Sequence, residues 1–174
     1  VPVYRFDLLV LGAGVGGAAA AVAAADEGAS VAVLTKAALE EGNTRYAPGG
    51  MAAVMGSEDS FESPIEDTLR VGCGLAERAT VDAVIRGGPD AVARLVQWGA
   101  EFDRAPDGRL ELSREGGHSQ ARILHAHGDA TGREMQRTLG SILEETSGVT
   151  TFPKTFAVDL LTDAEGHVLG ALCR

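Results

Sequence analysis

Glycines at positions 12, 14 and 17 constrain this chain more than any other feature, because of what flanks them. Before them, Phe6-Asp7-Leu8-Leu9-Val10-Leu11 is a short, nearly continuous apolar run, the pattern of a parallel strand buried on both faces. After them, Ala18 to Ala25 supplies strong helix formers with almost no bulk, and Gly28 stands where the helix can close in a left-handed conformation. Ser30-Val31-Ala32-Val33-Leu34 then reads as a second buried strand. Strand, tight turn, helix and strand within about thirty residues form a βαβ unit with a right-handed crossover. The expected fold class is therefore α/β, Rossmann-like, with a parallel sheet.

In that setting Gly12-Ala13-Gly14-Val15-Gly16-Gly17 matches the G-x-G-x-x-G phosphate-binding turn. Gly12 permits the tight turn, Gly14 lets backbone approach a pyrophosphate, and Gly17 lets the helix pack close to the strand with its N-terminus facing the phosphates. A turn that is glycine-rich for packing alone is the competing reading. The same fingerprint asks for Asp or Glu at the end of the second strand to bind a ribose hydroxyl, and Thr35-Lys36 stand there instead. That counts against an ordinary NAD enzyme and leaves Lys36 either offsetting phosphate charge or solvated in a loop.

A net charge of -10 without any Lys/Arg cluster argues against binding a nucleic-acid backbone. An anionic ligand must be held by local features, helix N-termini and single basic residues, against a repelling overall field. No stretch approaches the roughly 18 apolar residues of a membrane span, and Val1 to Asp7 lacks the parts of a secretory signal. The expectation is a cytoplasmic enzyme without a membrane span. Cys73 and Cys173 lie far apart with no C-x-x-C pair and read as reduced, structural residues. His118, His125 and His127 lack metal-ligand spacing, so no metal is expected. Gly117-His118-Ser119-Gln120-Ala121 lacks the second glycine of a nucleophile elbow.

The rest of the chain reads more coarsely. Lys36 to Glu62 shows neither helix nor strand period and is expected to be a long ordered loop, with Glu58, Asp59 and Glu62 as solvated acids. Ser63-Pro64-Ile65-Glu66 has the form of a capping box opening a helix. A second helix from about Thr80 is expected to break at Gly87-Gly88-Pro89, with a third from Pro89 to Trp98. Glu101 to His127 is polar and irregular. Thr131-Gly132-Arg133-Glu134 then opens a helix that buries Met135, Leu139, Ile142 and Leu143. Val149 to Phe152 can form a further parallel strand, and residues 155–161 and 167–173 an antiparallel hairpin inserted beside the sheet.

Thr35-Lys36 with Glu41-Gly42-Asn43-Thr44-Arg45-Tyr46-Ala47-Pro48-Gly49-Gly50-Met51-Ala52-Ala53 resembles the succinate dehydrogenase and fumarate reductase flavoprotein superfamily. Within it the chain is most similar to the L-aspartate oxidases. The resemblance continues through Glu66 to Leu69, Ser113 to Ser119, Arg122 to Ala126 and Asp129 to Glu134. It implies FAD as cofactor, with Asn43, Thr44, Arg45, Tyr46, Ala47, Pro48, Gly49 and Gly50 running along it and the Gly49-Gly50 backbone against the isoalloxazine ring. Lys36 would also contact the cofactor, and backbone at Phe156-Ala157 would lie near the adenine end. Asn43 stands where members with covalent flavin carry His, so the FAD is expected to be non-covalent. Pro48 replaces a commoner Gln.

Glu115 stands where succinate and fumarate enzymes carry an apolar aromatic residue, and the family role of that Glu is to orient the substrate's amino group. Read without the resemblance, Glu115 is a surface acid in a polar loop. The implied reaction is oxidation of L-aspartate to iminoaspartate, with oxygen or fumarate as electron acceptor, feeding quinolinate and NAD synthesis; quinolinate synthase is a candidate partner. The family's capping domain, with the catalytic arginine, and its C-terminal helical domain have no counterpart in these residues. Residues 1–174 are thus expected to be the N-terminal part of the FAD-binding domain, incomplete and inactive alone. Two alternatives stand beside this reading, a fumarate reductase or succinate dehydrogenase flavoprotein and a non-catalytic FAD-binding module.

Overall fold

The computed structural model describes residues 2–174. In chain order the elements are β1 (Leu8–Leu11), α1 (Val15–Asp26), β2 (Val31–Leu34), a 3-10 turn (Asn43–Tyr46), β3 (Met51–Ala52), α2 (Glu62–Val71), α3 (Arg78–Gln97), β4 (Ile123–Leu124), α4 (Thr131–Glu145), β5 (Val149–Phe152), β6 (Ala157–Thr162) and β7 (Val168–Cys173). They divide into two compact units, Val1–Tyr46 with Met135–Arg174, and Ala47–Glu134.

The first unit carries the expected α/β core. β2 is central and wholly buried, with β1 parallel on one side (Leu8↔Val31 to Leu11↔Leu34) and β5 parallel on the other (Val31↔Val149 to Leu34↔Phe152). β1 departs from the expectation of burial on both faces. It is an edge strand among the described residues, and Leu11 is 51% exposed. α1 buries Ala18, Ala21 and Val22, and these short side chains let a helix lie close to a sheet. Gly28 ends it as expected, at φ +90° with its N–H donated to the Ala25 carbonyl. α4 brings Met135, Leu139 and Leu143 into this core. β6 and β7 form the expected antiparallel hairpin, paired from Ala157↔Cys173 to Thr162↔Val168 with a register shift near each end.

The second unit holds α2 and α3 and a two-stranded antiparallel ladder, β3 with β4 (Met51↔Leu124, Ala52↔Ile123). The loop expected over residues 36–62 thus contains a 3-10 turn and a strand, and the irregular stretch 101–127 contains β4 and single bridges Arg104↔Leu110 and Ser113↔Ile123. Three sequence expectations fail here. α3 is continuous through Gly87-Gly88-Pro89, because Val81, Ile85, Gly88, Val92 and Leu95 form one inward stripe at helical spacing on both sides of the glycines. Ser63 and Glu66 form no capping box: α2 starts two residues earlier than a Ser63 cap would set it, the Ser63 hydroxyl is engaged elsewhere, and Glu66 pairs with Arg78. Asp59 is not solvated, since its side chain is only 5% exposed against Arg122. No helix among the described residues is long and apolar enough to cross a membrane.

Candidate functional site

The glycine turn in the first unit is shaped by what its residues lack. Gly12 sits at φ +107°, a conformation L side chains rarely adopt, and its N–H donates to the Leu34 carbonyl at 2.8 Å. At Gly17 a Cβ would lie 2.0 Å from the Gly12 carbonyl oxygen, so helix and turn touch backbone to backbone. The N-cap of α1 is Gly14, which has no side chain to cap with, and the first turn of the helix contains no acidic residue. Its leading N–H groups and the positive end of its dipole are therefore without a side-chain acceptor, an arrangement that suits a phosphate. Val15 and Gly16 are exposed, and Ala13 is buried.

Two neighbours support the turn. A Cβ on Gly14 would lie 3.4 Å from the Thr44 hydroxyl, so the 3-10 turn bearing Asn43, Thr44, Arg45 and Tyr46 runs alongside it. Gln136, buried on α4, donates from Nε2 to the carbonyls of Ala13 (3.0 Å) and Leu39 (2.7 Å). Sequence reasoning missed Gln136; its signal was a polar residue next to Met135, on the face of a helix patterned for burial. Asn43 and Lys36 are exposed, and the Tyr46 hydroxyl bonds to Glu41, an interaction that holds its proton and raises its pKa. The segment before β6 is brought back to the end of β2 by Thr155 N–H to the Thr35 carbonyl (2.8 Å). Phe156 follows, half-exposed, with its backbone bonded to Arg174 in both directions and the Arg174 guanidinium over its ring, and Ala157 opens β6.

In the second unit Ala47, Pro48 and Gly49 are exposed, and an added Cβ on Gly49 would meet nothing. Gly50 differs, because a Cβ there would lie 2.3 Å from Ile123 Cγ2 and 2.6 Å from the Leu124 carbonyl oxygen. Its glycine is demanded by β4, whatever lies on its outer side. Glu115 is 47% exposed in the Glu115–His118 turn, and its Oε1 lies 3.1 Å from His125 Nε2, which is also 3.0 Å from Ser113 Oγ.

Behind that loop stands a buried ionic cluster that the sequence did not reveal. Arg122, 1% exposed, donates from Nε and Nη2 to the two Asp59 oxygens (2.8 and 2.9 Å), from Nη1 to Asp67 (2.8 Å), and from Nη2 to the Ser63 hydroxyl (2.7 Å). Asp67 also accepts the N–H and hydroxyl of Ser119, both at 2.7 Å, and the exposed Arg70 at 2.7 Å. Burial pushes the Asp67 carboxyl upward, but Ser119, Arg122 and Arg70 together hold it well below the usual carboxylate range. The Arg122 fork lowers Asp59 more than burial raises it, and the same bond raises Arg122. The cluster ties α2 to the C-terminal side of the Glu115 loop, through Ser119 and Arg122. A depression of 290 Å³ that shares Ser113 and His125 with the Glu115 contact is also lined by Asp103, Glu111 and Gly128; its two acids do not suit an anionic substrate. Asp163, Glu165 and His167 cluster in the β6–β7 turn because the Asp163 carboxylate accepts the N–H groups of the other two.

The chain is 45% identical to an L-aspartate oxidase of Streptomyces coelicolor over 94% of its own length and 28% of the relative's. It is likewise 45% identical to a chloroplastic L-aspartate oxidase of Oryza sativa, over 90% of this chain and 24% of that one. It thus spans about a quarter of the curated relatives it matches. Among solved structures it is similar to Mycobacterium smegmatis Sdh1 in complex with UQ1 (TM-score 0.89, 32% identity, 98% of this chain and 30% of that one). An E. coli quinol fumarate reductase is similar too (TM-score 0.87, 35% identity, 98% and 29%). The family profile described as "FAD binding domain" matches residues 7–174, and with the phosphate-suited turn at its start the chain belongs to that family of FAD-binding domains.

Proposed function

We propose that these residues form the N-terminal, cofactor-holding part of a flavoenzyme that oxidises L-aspartate to iminoaspartate, the cap and its catalytic arginine lying in other parts of the protein. The reading draws on the identity to L-aspartate oxidases and on relatives three to four times this length. The observation that carries the substrate is Glu115, a half-exposed carboxylate steadied through one oxygen in a glycine loop. A carboxylate there attracts an ammonium, which is what separates an amino dicarboxylate from succinate.

FAD fits the residues present. Gly12 to Gly17 and the free N-terminus of α1 would receive the pyrophosphate, while Lys36 and the backbone at Phe156-Ala157 would flank the nucleotide. Asn43 to Gly50 would line the flavin, non-covalently because Asn43 offers no bond-forming nitrogen. When bound, FAD supplies the two-electron chemistry, with oxygen or fumarate as final acceptor. The protein's part is to bind, orient and exclude water. Glu115 would hold the substrate ammonium, and the closely packed backbone at Gly50 would keep one wall dry. Cytoplasmic residence and quinolinate synthase as a consumer of the product are proposed with it; the plant relative's name places that enzyme in a chloroplast.

The test is anaerobic addition of L-aspartate to the flavin-loaded full-length protein. Bleaching of the flavin absorbance with one iminoaspartate formed per FAD is expected. Bleaching by succinate but not by aspartate would replace this reading with that of a succinate or fumarate enzyme. Glu115→Phe should cut kcat/KM for aspartate by about 100-fold and leave fumarate reduction within about threefold.

A further inference from the structure

We propose that His125 is a positioning residue for Glu115 and, through it, a determinant of selectivity for amino dicarboxylates; the inference rests on the reading above. The bridge between Ser113 and Ile123 fixes backbone two residues from Glu115 on one side and two residues from His125 on the other. His125 then places Nε2 between Ser113 Oγ (3.0 Å) and Glu115 Oε1 (3.1 Å). Its Nδ1 is buried and meets no partner among the described residues. A proton on Nδ1 would be a buried donor without an acceptor, so the ring proton belongs on Nε2, which hydrogen-bonds with Ser113 Oγ and lies 3.1 Å from the Glu115 carboxylate. The ring cannot back away, because its Cε1 lies against Gly50, where even a methyl group would sit 2.9 Å from it.

The consequence is directional. Glu115 precedes Gly116-Gly117 and is half-exposed, so without a tether its side chain would sample several rotamers. His125 holds Oε1, and Oε2 keeps no partner among the described residues, open to an incoming ammonium. A dicarboxylate without an amino group gains nothing from this arrangement. Loss of the tether must therefore weaken one substrate class and spare the other, which a merely structural histidine would not do.

The experiment uses the flavin-loaded full-length protein. His125→Phe should lower kcat/KM for L-aspartate about 10- to 30-fold, mainly through KM, and change fumarate reduction less than about twofold. His125→Gln, which keeps an N–H donor, should recover activity to within about threefold of the parent. In Glu115→Gln the further change His125→Phe should cost less than about twofold, since the tethered group is already gone. A readout free of turnover is the flavin absorption change on titration with D-aspartate and with succinate; His125→Phe should weaken the first about 10-fold and the second less than twofold. Equal losses for both ligands, additive losses in the double variant, or no change in His125→Phe would overturn the assignment. A parent protein that neither oxidises nor preferentially binds amino dicarboxylates would instead overturn the functional reading.

Discussion

The turn at residues 12–17 and the loop at residues 113–125 are held in shape by opposite means. The first has almost no side chains: Gly12 supplies a positive φ, Gly14 leaves the helix uncapped, and Gly17 admits backbone within a distance no Cβ would tolerate. The second is fixed by charge, with Arg122 at its base sharing two buried aspartates and Ser119 locked onto one of them. A turn made of glycine suits a ligand that must approach backbone, and a loop clamped from behind leaves Glu115 half-exposed, where the proposed function sets it toward a substrate. The two devices should fail differently.

Removing Arg122 should have the largest effect. Arg122→Met leaves the buried Asp59 carboxylate without a cation and Asp67 with only the exposed Arg70, and breaking a buried pair on one side costs about 3–5 kcal/mol. Chemical denaturation should detect it. Replacing all three charges together, as Arg122→Met with Asp59→Asn and Asp67→Asn, should recover a large part of that loss; if it does not, hydrogen bonding rather than charge governs the cluster. Gly17→Ala comes next, at about 2–4 kcal/mol, because a methyl 2.0 Å from the Gly12 oxygen forces α1 off the turn. Gly16→Ala, in the first turn of α1 with open space around it, should leave stability unchanged or raise it by a few tenths of a kcal/mol, so only the Gly17 variant should be destabilised.

Acid should separate the two regions as well. Both aspartates have folded pKa values depressed below their unfolded ones, so their contribution is fully present above the ordinary carboxylate value of about 4 and is lost as pH falls through the folded values. Stability should be flat from pH 7 to about pH 5 and then fall by up to about 1.4 kcal/mol per pH unit for each of the two carboxylates. Asp67→Asn should flatten this acid limb. A limb unchanged in that variant would mean that other carboxylates drive acid unfolding.

This contrast also decides what could be read from the sequence. A glycine turn between an apolar run and an alanine helix is local, so residues 7–34 announced their own fold, and the hairpin at 157–173 did the same through its turn. Arg122 with Asp59 and Asp67 is not local. Its members are separated by 55 and 63 residues, and an aspartate in a loop reads as solvated until its partner is known. Gln136 escaped for the same reason, since its two acceptors lie about a hundred residues away. Glu115 became visible only through resemblance, because its charge in a polar loop is what any surface residue would show.

The smallest effect concerns the helix that was expected to be two. Pro89 lies inside α3, where it withholds an N–H from the Ile85 carbonyl and its ring crowds the preceding turn. The helix continues because Val92 and Leu95 are buried beyond it on the stripe that Val81 and Ile85 begin, and that burial outweighs one missing bond. Pro89→Ala restores the donor and should stabilise the protein by about 1 kcal/mol, less than the full helix-interior penalty because Pro89 is half-buried and its ring also packs. Gly87→Ala, in open space on the outer face of the same turn, should add a similar amount, whereas Gly88→Ala gains less because its new methyl meets Ala53 at 3.5 Å. Thermal unfolding of the three variants tests the point. A destabilising Pro89→Ala would mean that the proline ring, and not the inward stripe, keeps α3 in one piece.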